Sequence, residues 1–226
     1  MKILIIADIH GNFELASDIL HNIKDEYDLI IAPGDFTDIF NVPPGFTQAN
    51  IADMVLQKLL AMGKPALCVP GNHDPYEILG VLEEYDVNLH HKVRKFRGKK
   101  FLGWGGAPTP FDTPFEPEEE ETRDVLNELG KEVEKGGFIL VTHNPAKNTK
   151  LDTIISGEHV GSHEIRKFIE EKQPILAISA HIHESSGEEK IGKTTLFYPG
   201  PLYDGYYGIV TVDKNGVKTQ IKRAKV

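Results

Sequence analysis

The chain has 226 residues, with 25 Lys and Arg against 34 Asp and Glu, so its formal net charge is −9 at pH 7. Hydrophobic residues make up 40% and charged residues 26%, which is typical of a globular protein and excludes a disordered or a collagen-like chain. The length is compatible with a single domain over residues 1–226, and the acidic balance argues against a nucleic-acid-binding surface.

Cysteine content and hydropathy indicate the cellular compartment of such a protein. Cys68 is the single cysteine, which excludes an intrachain disulfide and favours a reducing compartment. No segment approaches the roughly 18 consecutive apolar residues of a membrane span. The apolar start at residues 3–7 is short and is followed by Asp8, so it predicts a buried strand rather than a signal peptide. We therefore expect a cytoplasmic protein without membrane contact.

Short apolar runs that end at turn residues alternate with helical patterns, which is typical of an α/β fold. Because the final strands have almost no helix between them, antiparallel hairpins are expected to close the domain. The predicted strands are at residues 2–7, 29–32, 66–69, 99–103, 138–142, 175–179, 194–198, 207–213 and 217–223. The predicted helices lie near residues 13–23, 48–62, 75–85, 118–135 and 163–172, the last with Ser162 as its N-cap.

Two segments have unusual composition. Residues 92–100 contain six basic residues and no acid, and we interpret them as an exposed hairpin. Residues 103–117 are rich in Gly and Pro, which predicts a long loop after a strand. Such loops often carry function, so this one is a candidate pocket wall or lid.

Five predicted strands end in segments that carry Asp, Asn or His. In an open α/β sheet, ligands bind at the carboxyl edge of the strands, so these side chains are expected to converge. The segments are Asp8-Ile9-His10, Gly34-Asp35-Phe36-Thr37-Asp38, Gly71-Asn72-His73-Asp74, Thr142-His143-Asn144 and Ala180-His181-Ile182-His183.

Carboxylate, imidazole and amide oxygen donors without a thiolate predict a site for divalent metal ions. Seven candidate ligands are too many for one ion, whereas two four-ligand sets that share one carboxylate account for all of them. This count predicts a two-metal site. The candidate ligands are Asp8, His10, Asp35, Asn72, His143, His181 and His183.

The spacing within the motifs has a physical reason. Alternate side chains of an extended segment point the same way, so both members of Asp8-x-His10 and of His181-x-His183 can reach one cluster. Gly11, Gly34 and Gly71 are expected to let the chain turn sharply beside the ions. Each motif alone has an ordinary explanation, for example as a turn or as a partly exposed histidine pair. Five such motifs at strand ends make coincidence the weaker explanation.

The five motifs, in this order, resemble the pattern of the calcineurin-like metallophosphoesterase superfamily: Asp-x-His, Gly-Asp-x-x-Asp, Gly-Asn-His-Asp/Glu, a His after a strand, and Gly-His-x-His. The resemblance spans the chain and looks closest to a compact prokaryotic branch related to the Icc phosphodiesterases. Tyr198-Pro199-Gly200-Pro201 is similar to the family's Asn-Pro-Gly-Ser, with departures at both ends. A second departure is Ala180 in place of the Gly before the final histidine pair.

The resemblance implies the fold and the roles of the residues. The fold would be two packed mixed β-sheets flanked by helices, a four-layer α/β/β/α sandwich with a dinuclear metal site at the carboxyl edge of the strands. Asp35 would bridge the two ions. Mn suits these ligands best, and Fe, Zn, Ni or Co are also compatible. His73 would act as general acid, oriented by Asp38. One metal would bind Asp8, His10, Asp35 and His183, and the other Asp35, Asn72, His143 and His181.

The resemblance further implies hydrolysis of a small phosphodiester or phosphomonoester by attack of a metal-bridging hydroxide. Two alternatives stay open at this point. A scaffold that binds a protein partner would keep the fold, although such members tend to lose the histidine that His73 matches here. A nuclease is disfavoured because only residues 92–100 offer basic charge. Asn12, Asn144 and His159 are further candidates for the pocket, and a homo-oligomer is compatible with the sequence.

Overall fold

The computed structural model describes residues 1–224, so the last two residues of the predicted domain lie outside the described part. Two mixed sheets form the centre of the molecule. The first sheet has the strand order β11-β10-β1-β2-β3. Its strands are β1 (Lys2–Ile5), β2 (Leu29–Ala32), β3 (Ala66–Cys68), β10 (Tyr206–Asp213) and β11 (Gly216–Arg223).

The second sheet has six strands in the order β4-β5-β6-β7-β9-β8. Strands β5, β6, β7 and β9 run parallel, and β4 and β8 are antiparallel edges. The strands are β4 (Lys92–Phe96), β5 (Lys99–Trp104), β6 (Phe138–Thr142), β7 (Leu176–Ile178), β8 (Gly187–Ile191) and β9 (Thr194–Tyr198).

Helices cover the outer face of each sheet. Their starts follow local sequence signals: Asn12 caps α1, a Thr47–Asn50 capping box starts α2, and the Ser162 hydroxyl accepts from the Ile165 amide at the start of α5, as predicted. None of the helices in residues 1–224 has the length and apolar character that crossing a membrane requires. The helices are α1 (Phe13–Asn22), α2 (Gln48–Leu60), α3 (Ile78–Glu84), α4 (Glu119–Leu129) and α5 (His163–Lys172), with a 3₁₀ turn at Leu202–Asp204.

Three apolar clusters hold the layers together, and β1 shows why. Side chains alternate along a strand, so Ile3 and Ile5 face the second sheet while Leu4 faces the helices. The cluster between the sheets also contains Phe101 and Phe197 from the second sheet. Separate clusters join the first sheet to α1, α2 and α3, and the second sheet to α4 and α5. The predicted α/β fold with two mixed sheets flanked by helices is therefore confirmed.

Some element predictions need correction. Strand β8 was not predicted, because its sequence Gly-Glu-Glu-Lys-Ile is polar at an exposed sheet edge. It lies between β7 and β9 in the chain, so those two strands pair in parallel rather than as a hairpin. The hairpin prediction holds for β10 and β11, which pair in antiparallel register. Helix α4 ends at Leu129 rather than near residue 135. The next residue is Gly130, and glycine is unfavourable within a helix.

Two glycines test this packing with the same substitution. A Cβ at Gly103 in β5 would lie 2.5 Å from the carbonyl oxygen of Leu89, whereas a Cβ at Gly80 in α3 would meet nothing within 4 Å. Gly103→Ala should lower the free energy of unfolding by about 1–3 kcal/mol through overpacking. Gly80→Ala should raise it by about 0.5–1 kcal/mol because alanine favours the helix. Urea unfolding followed by circular dichroism measures both, and equal effects would contradict the packing described.

Candidate metal centre

The loops after β1 and β2 bring the first motifs together. Backbone amides of Ile9 and His10 both donate to the carbonyl oxygen of Asp35, at 2.8 and 2.9 Å. Asp8, His10 and Asp35 all have left-handed backbone conformations, with φ of 52°, 50° and 55°. Such conformations cost free energy in residues with a Cβ, and they persist where surrounding hydrogen bonds hold them. These strained turns aim the three side chains into one cluster.

Glycine is required here for two different reasons. Gly11 and Gly34 have φ of +72° and +111°, as expected for sharp turns. Gly71 does not have a positive φ, and its role is close approach instead. A Cβ at Gly71 would lie 2.0 Å from Asp35 Oδ1, so only glycine leaves room for that carboxylate. The chain does turn here, since the Asp74 amide donates to the Gly71 carbonyl oxygen at 3.4 Å, but the turn needs glycine for space rather than for a positive φ.

All seven candidate ligands lie around Asp35. One group of donor atoms within 4.8 Å of one another comes from Asp8, His10, Asp35 and His183, and another from Asp35, His143 and His181. Asn72 joins the second group, because its Oδ1 lies 2.9 Å from His143 Nε2. Asp35 belongs to both groups. The structure thus brings together the residues that the sequence separates into five motifs.

The second group has a donor chemistry that fits a cation. His143 Nδ1 lies 2.8 Å from the carbonyl oxygen of Pro33, which can only accept, so this nitrogen carries the proton. In a neutral ring, the Nε2 lone pair then faces Asn72 Oδ1 at 2.9 Å and Asp35 Oδ2 at 3.5 Å. Three electron-rich atoms that face one another need a positive charge between them. A proton or a divalent cation supplies it.

The first group repeats this arrangement. His10 Nε2 lies 3.2 Å from His183 Nε2 and 3.5 Å from Asp35 Oδ2. His183 Nε2 lies 3.7 Å from Asp8 Oδ1. The His10–His183 contact is within hydrogen-bond range, whereas the two contacts with carboxylates are longer, and all four donor atoms lie within 4.8 Å of one another. Both groups therefore fit a divalent cation bound by nitrogen and oxygen donors.

Protonation of the buried groups reflects the same electrostatics. Burial opposes the charged form of His143, but the Asp35 carboxylate raises the pKa of His143 to about 9. Burial also opposes ionisation of Asp35, and the neighbouring histidines hold its pKa well below the usual range. Burial and the charge of His143 lower the pKa of His181 to about 3, so His181 presents a neutral ring. Neutral imidazole is the form that binds metals.

Neighbouring side chains fix the orientation of the candidate ligands. Asn72 Nδ2 donates to Thr113 Oγ1 at 3.2 Å, and the Thr113 hydroxyl donates in turn to Glu116. Because Thr113 uses its one proton on Glu116, it accepts from the Asn72 NH₂ group, which turns the Asn72 oxygen toward the cluster. The loop between β5 and α4 therefore supports a candidate ligand, a role that its composition did not reveal.

Two tyrosines also contact the cluster and were missed as functional residues. The Tyr198 hydroxyl donates to Asp8 Oδ2 at 2.6 Å, and the Tyr203 hydroxyl lies 2.9 Å from His183 Nδ1. Tyr198 is one of the two residues that depart from the family's Asn-Pro-Gly-Ser pattern, and that departure was the available signal. Tyr203 follows the same run at a spacing that carries no motif.

Asp74 is a further missed residue. It is fully buried and accepts hydrogen bonds from the backbone amides of Phe36, Thr37 and Gly71. These bonds tie the loop after β2 to the loop after β3. Burial raises the pKa of Asp74 to about 7, and the nearby negative charge of Asp35 adds to this effect. Asp74 thus positions the two loops and is not itself a candidate ligand.

His73 and Asp38 lie beside the cluster. His73 Nδ1 is 3.2 Å from Asp38 Oδ1, and the His73 amide donates to Asp35 Oδ1 at 2.9 Å. The ring packs edge-on against the His10 ring, with centroids 4.9 Å apart. Both side chains remain partly exposed. This position allows contact with a molecule bound at the cluster.

The other candidates are divided by the structure. Asn12 caps α1 and lines a cavity beside the cluster. Asn144 is buried and lines neither of the two cavities beside the cluster, so the expected substrate contact is not supported. His159 also lines neither cavity and pairs with Asp152 at 2.7 Å. Residues 108–111 of the Gly/Pro-rich loop form a pocket wall.

The family model for calcineurin-like phosphoesterases matches residues 1–185. The chain belongs to this family. "Uncharacterized protein MJ1162" from Methanocaldococcus jannaschii is 35% identical over 224 residues, covering 94% of this chain and 96% of the relative. The family is metal-dependent, and the Asp and His cluster is a place where this chain could bind metal.

Solved structures share the fold at low sequence identity. The protein TT1561 of Thermus thermophilus has a TM-score of 0.73 and 19% identity, with 97% of each chain covered. A dimetal phosphatase from Danio rerio has a TM-score of 0.65 and 12% identity, covering 99% of this chain and 98% of that one. Nearly the whole chain therefore shares the fold of these solved structures.

Removal of the Thr113 hydroxyl tests the support of Asn72. Thr113→Val keeps the shape but leaves the Asn72 NH₂ group without its acceptor, so manganese affinity should fall about tenfold. Thr194→Val is the matched control, since Thr194 is buried and its hydroxyl has no partner among the described residues. Calorimetric titration with manganese measures both variants. Wild-type affinity in Thr113→Val would show that Thr113 does not orient a ligand.

Proposed function

We propose that the chain is a single-domain phosphoesterase that uses two divalent metal ions, with manganese preferred, to hydrolyse a small phosphodiester or phosphomonoester. The observation that carries the proposal is the position of Asp35, whose carboxylate belongs to both groups of candidate ligands. The proposed ligands of one ion are Asp8, His10, Asp35 and His183. Those of the other are Asp35, Asn72, His143 and His181.

Each proposed residue has a defined chemical task. Two divalent cations, when bound by these residues, would supply a hydroxide near neutral pH and would neutralise charge on the phosphoryl oxygens. His73, beside this cluster, gives a proton to the leaving oxygen of the ester. Asp38 accepts a hydrogen bond from His73 Nδ1 and so fixes the ring, which leaves Nε2 for the substrate. The Asp35 carboxylate also accepts a hydrogen bond from the His73 backbone amide, and this bond holds the proposed general acid beside the cluster.

The basic residues of the β4–β5 hairpin argue against a nuclease. Arg94 pairs with Asp86 at 2.8 Å, Arg97 pairs with Asp28 at 2.7 Å, and Lys92 pairs with Glu83. These ion pairs involve three of the six basic residues and so weaken the positive strip that would otherwise contact phosphates. A scaffold function is disfavoured by the retained pair of His73 and Asp38, which a binding module does not need.

Substitution separates metal binding from proton transfer. With bis(4-nitrophenyl) phosphate and manganese, Asp35→Ala should lose both metal ions and turnover, because both groups of ligands include Asp35. His73→Ala should keep the metal ions but lower kcat by about 10²–10⁴-fold on diphenyl phosphate, because phenolate is a poor leaving group without a proton from a general acid.

His21→Ala is the control for these variants, since His21 is an exposed histidine on α1. It should retain wild-type kcat and metal content. Metal content is measured by elemental analysis alongside the rate. Wild-type-like rates in both Asp35→Ala and His73→Ala would refute the role assignment. A metal-loaded wild-type protein that hydrolyses no phosphoester would refute the enzymatic function.

A further inference from the structure

Two cavities lie beside the candidate metal centre. The first, of about 620 Å³, contacts His10 and is lined by Phe40 and Tyr203. The second, of about 570 Å³, contacts Asn72 and His181. We call them the Phe40 cavity and the Ile155 cavity. His73 and His183 line both, so the two cavities meet at the cluster.

Exposed apolar side chains form the rims of these cavities. Phe40 is 71% exposed beside the first, and Phe111 and Ile155 are 69% and 92% exposed beside the second. Exposed apolar groups gathered around a concave polar centre are typical of ligand sites, since a bound apolar group covers them. Both cavities therefore offer apolar surface next to the place where a phosphoryl group would bind.

Hydrogen bonds hold all three rim segments. The Phe40 amide donates to Asp38 Oδ1 at 2.9 Å, and the Ile155 amide donates to Glu184 Oε1 at 3.1 Å. The Phe111 amide donates to the Thr109 hydroxyl at 3.1 Å, and that hydroxyl donates to Glu116. Walls that are already ordered lose little freedom when a ligand binds, which favours affinity.

Charge limits what these cavities can accept. No Lys or Arg among the described residues lines either cavity. Glu14 and Asp38 line the Phe40 cavity, and Glu158 and Glu184 line the Ile155 cavity. A second phosphate on the substrate would find no cationic partner and would face carboxylates. The cavities therefore suit substituents that are uncharged or cationic.

We propose that the substrate is a phosphodiester with two largely apolar, uncharged or cationic substituents, one in each cavity, and with its single phosphate at the cluster. This rests on the proposed function and narrows it to diesters without further phosphates. Two cavities that meet at the cluster are needed for two substituents, whereas a monoester would leave one cavity without a contact.

Phosphinates test the proposal by binding alone, because their P–C bonds resist hydrolysis. The probes are dimethylphosphinate, methyl(phenyl)phosphinate and diphenylphosphinate, titrated by calorimetry into the manganese-loaded protein. Each phenyl group should lower Kd by about tenfold, since each buries an aromatic ring in its own cavity. Equal Kd values for methyl(phenyl)phosphinate and diphenylphosphinate would overturn the proposal.

Variants assign the two phenyl groups to the two cavities. In Phe111→Ser combined with Ile155→Ser, and separately in Phe40→Ser, the gain from the second phenyl should fall below about threefold, because one cavity has lost its apolar rim. Ile221→Ser is the control, since Ile221 is an exposed apolar residue of β11 that lines neither cavity. It should keep the gain seen in the wild type, and an unchanged gain in both rim variants would contradict the proposal.

Turnover separates this proposal from the one on which it rests. If the phosphinates bind in the expected order while bis(4-nitrophenyl) phosphate is not hydrolysed, the hydrolase proposal fails and the class of ligand stands. If the diester is hydrolysed but the second phenyl adds no affinity, the hydrolase proposal stands and the assignment of two cavities fails. A 4-nitrophenyl phosphate monoester preferred over the diester would also overturn the assignment.

Discussion

Electron-rich atoms that face one another around Asp35 are the constraint on which this site depends. Asp35 Oδ2 lies 3.5 Å from both His10 Nε2 and His143 Nε2. His10 Nε2 also faces His183 Nε2, and His143 Nε2 also faces Asn72 Oδ1. Asp8, Asp35, Asn72 and His143 are buried, so water screens the repulsion among their electron-rich atoms only weakly. Positive charge would relieve this repulsion, and the two groups of donor atoms that share Asp35 are where we propose that it resides.

The rest of the structure maintains this unfavourable arrangement. The packed apolar clusters on both faces of each sheet fix the carboxyl ends of the strands, and short loops there adopt strained conformations. Gly71 permits the contact of two loops at a distance that any side chain would block. Buried Asp74 joins the same loops through backbone amides. Stability of the sandwich thus holds in place a cluster that would not form by itself.

Much of this architecture was predictable from the sequence. Buried parallel strands are continuous apolar runs, and the polar residues that follow them mark the sheet edge where ligands bind. These two signals place the elements from β1 to β3 and predict the convergence of the five motifs. They do not reveal β8, because a polar edge strand lacks the alternation that identifies a strand.

The contacts that surround the ligands were not predictable. Thr113 and Tyr203 act through distances of about one hydrogen bond to residues far away in sequence, and no spacing rule relates such partners. The apolar rims have the same origin: Phe40, Phe111 and Ile155 lie in three separate loops and become neighbours of the cluster only through the fold. The proposed substrate contacts therefore depend on tertiary structure, whereas the proposed metal ligands are evident from local motifs.

A crystal structure of the protein grown with manganese, using anomalous scattering to locate the ions, tests the central claim most directly. We expect two anomalous peaks separated by roughly 3.5–4 Å, with the Asp35 carboxylate in contact with both. One peak alone, or two peaks of which only one contacts Asp35, would contradict the shared position of this carboxylate.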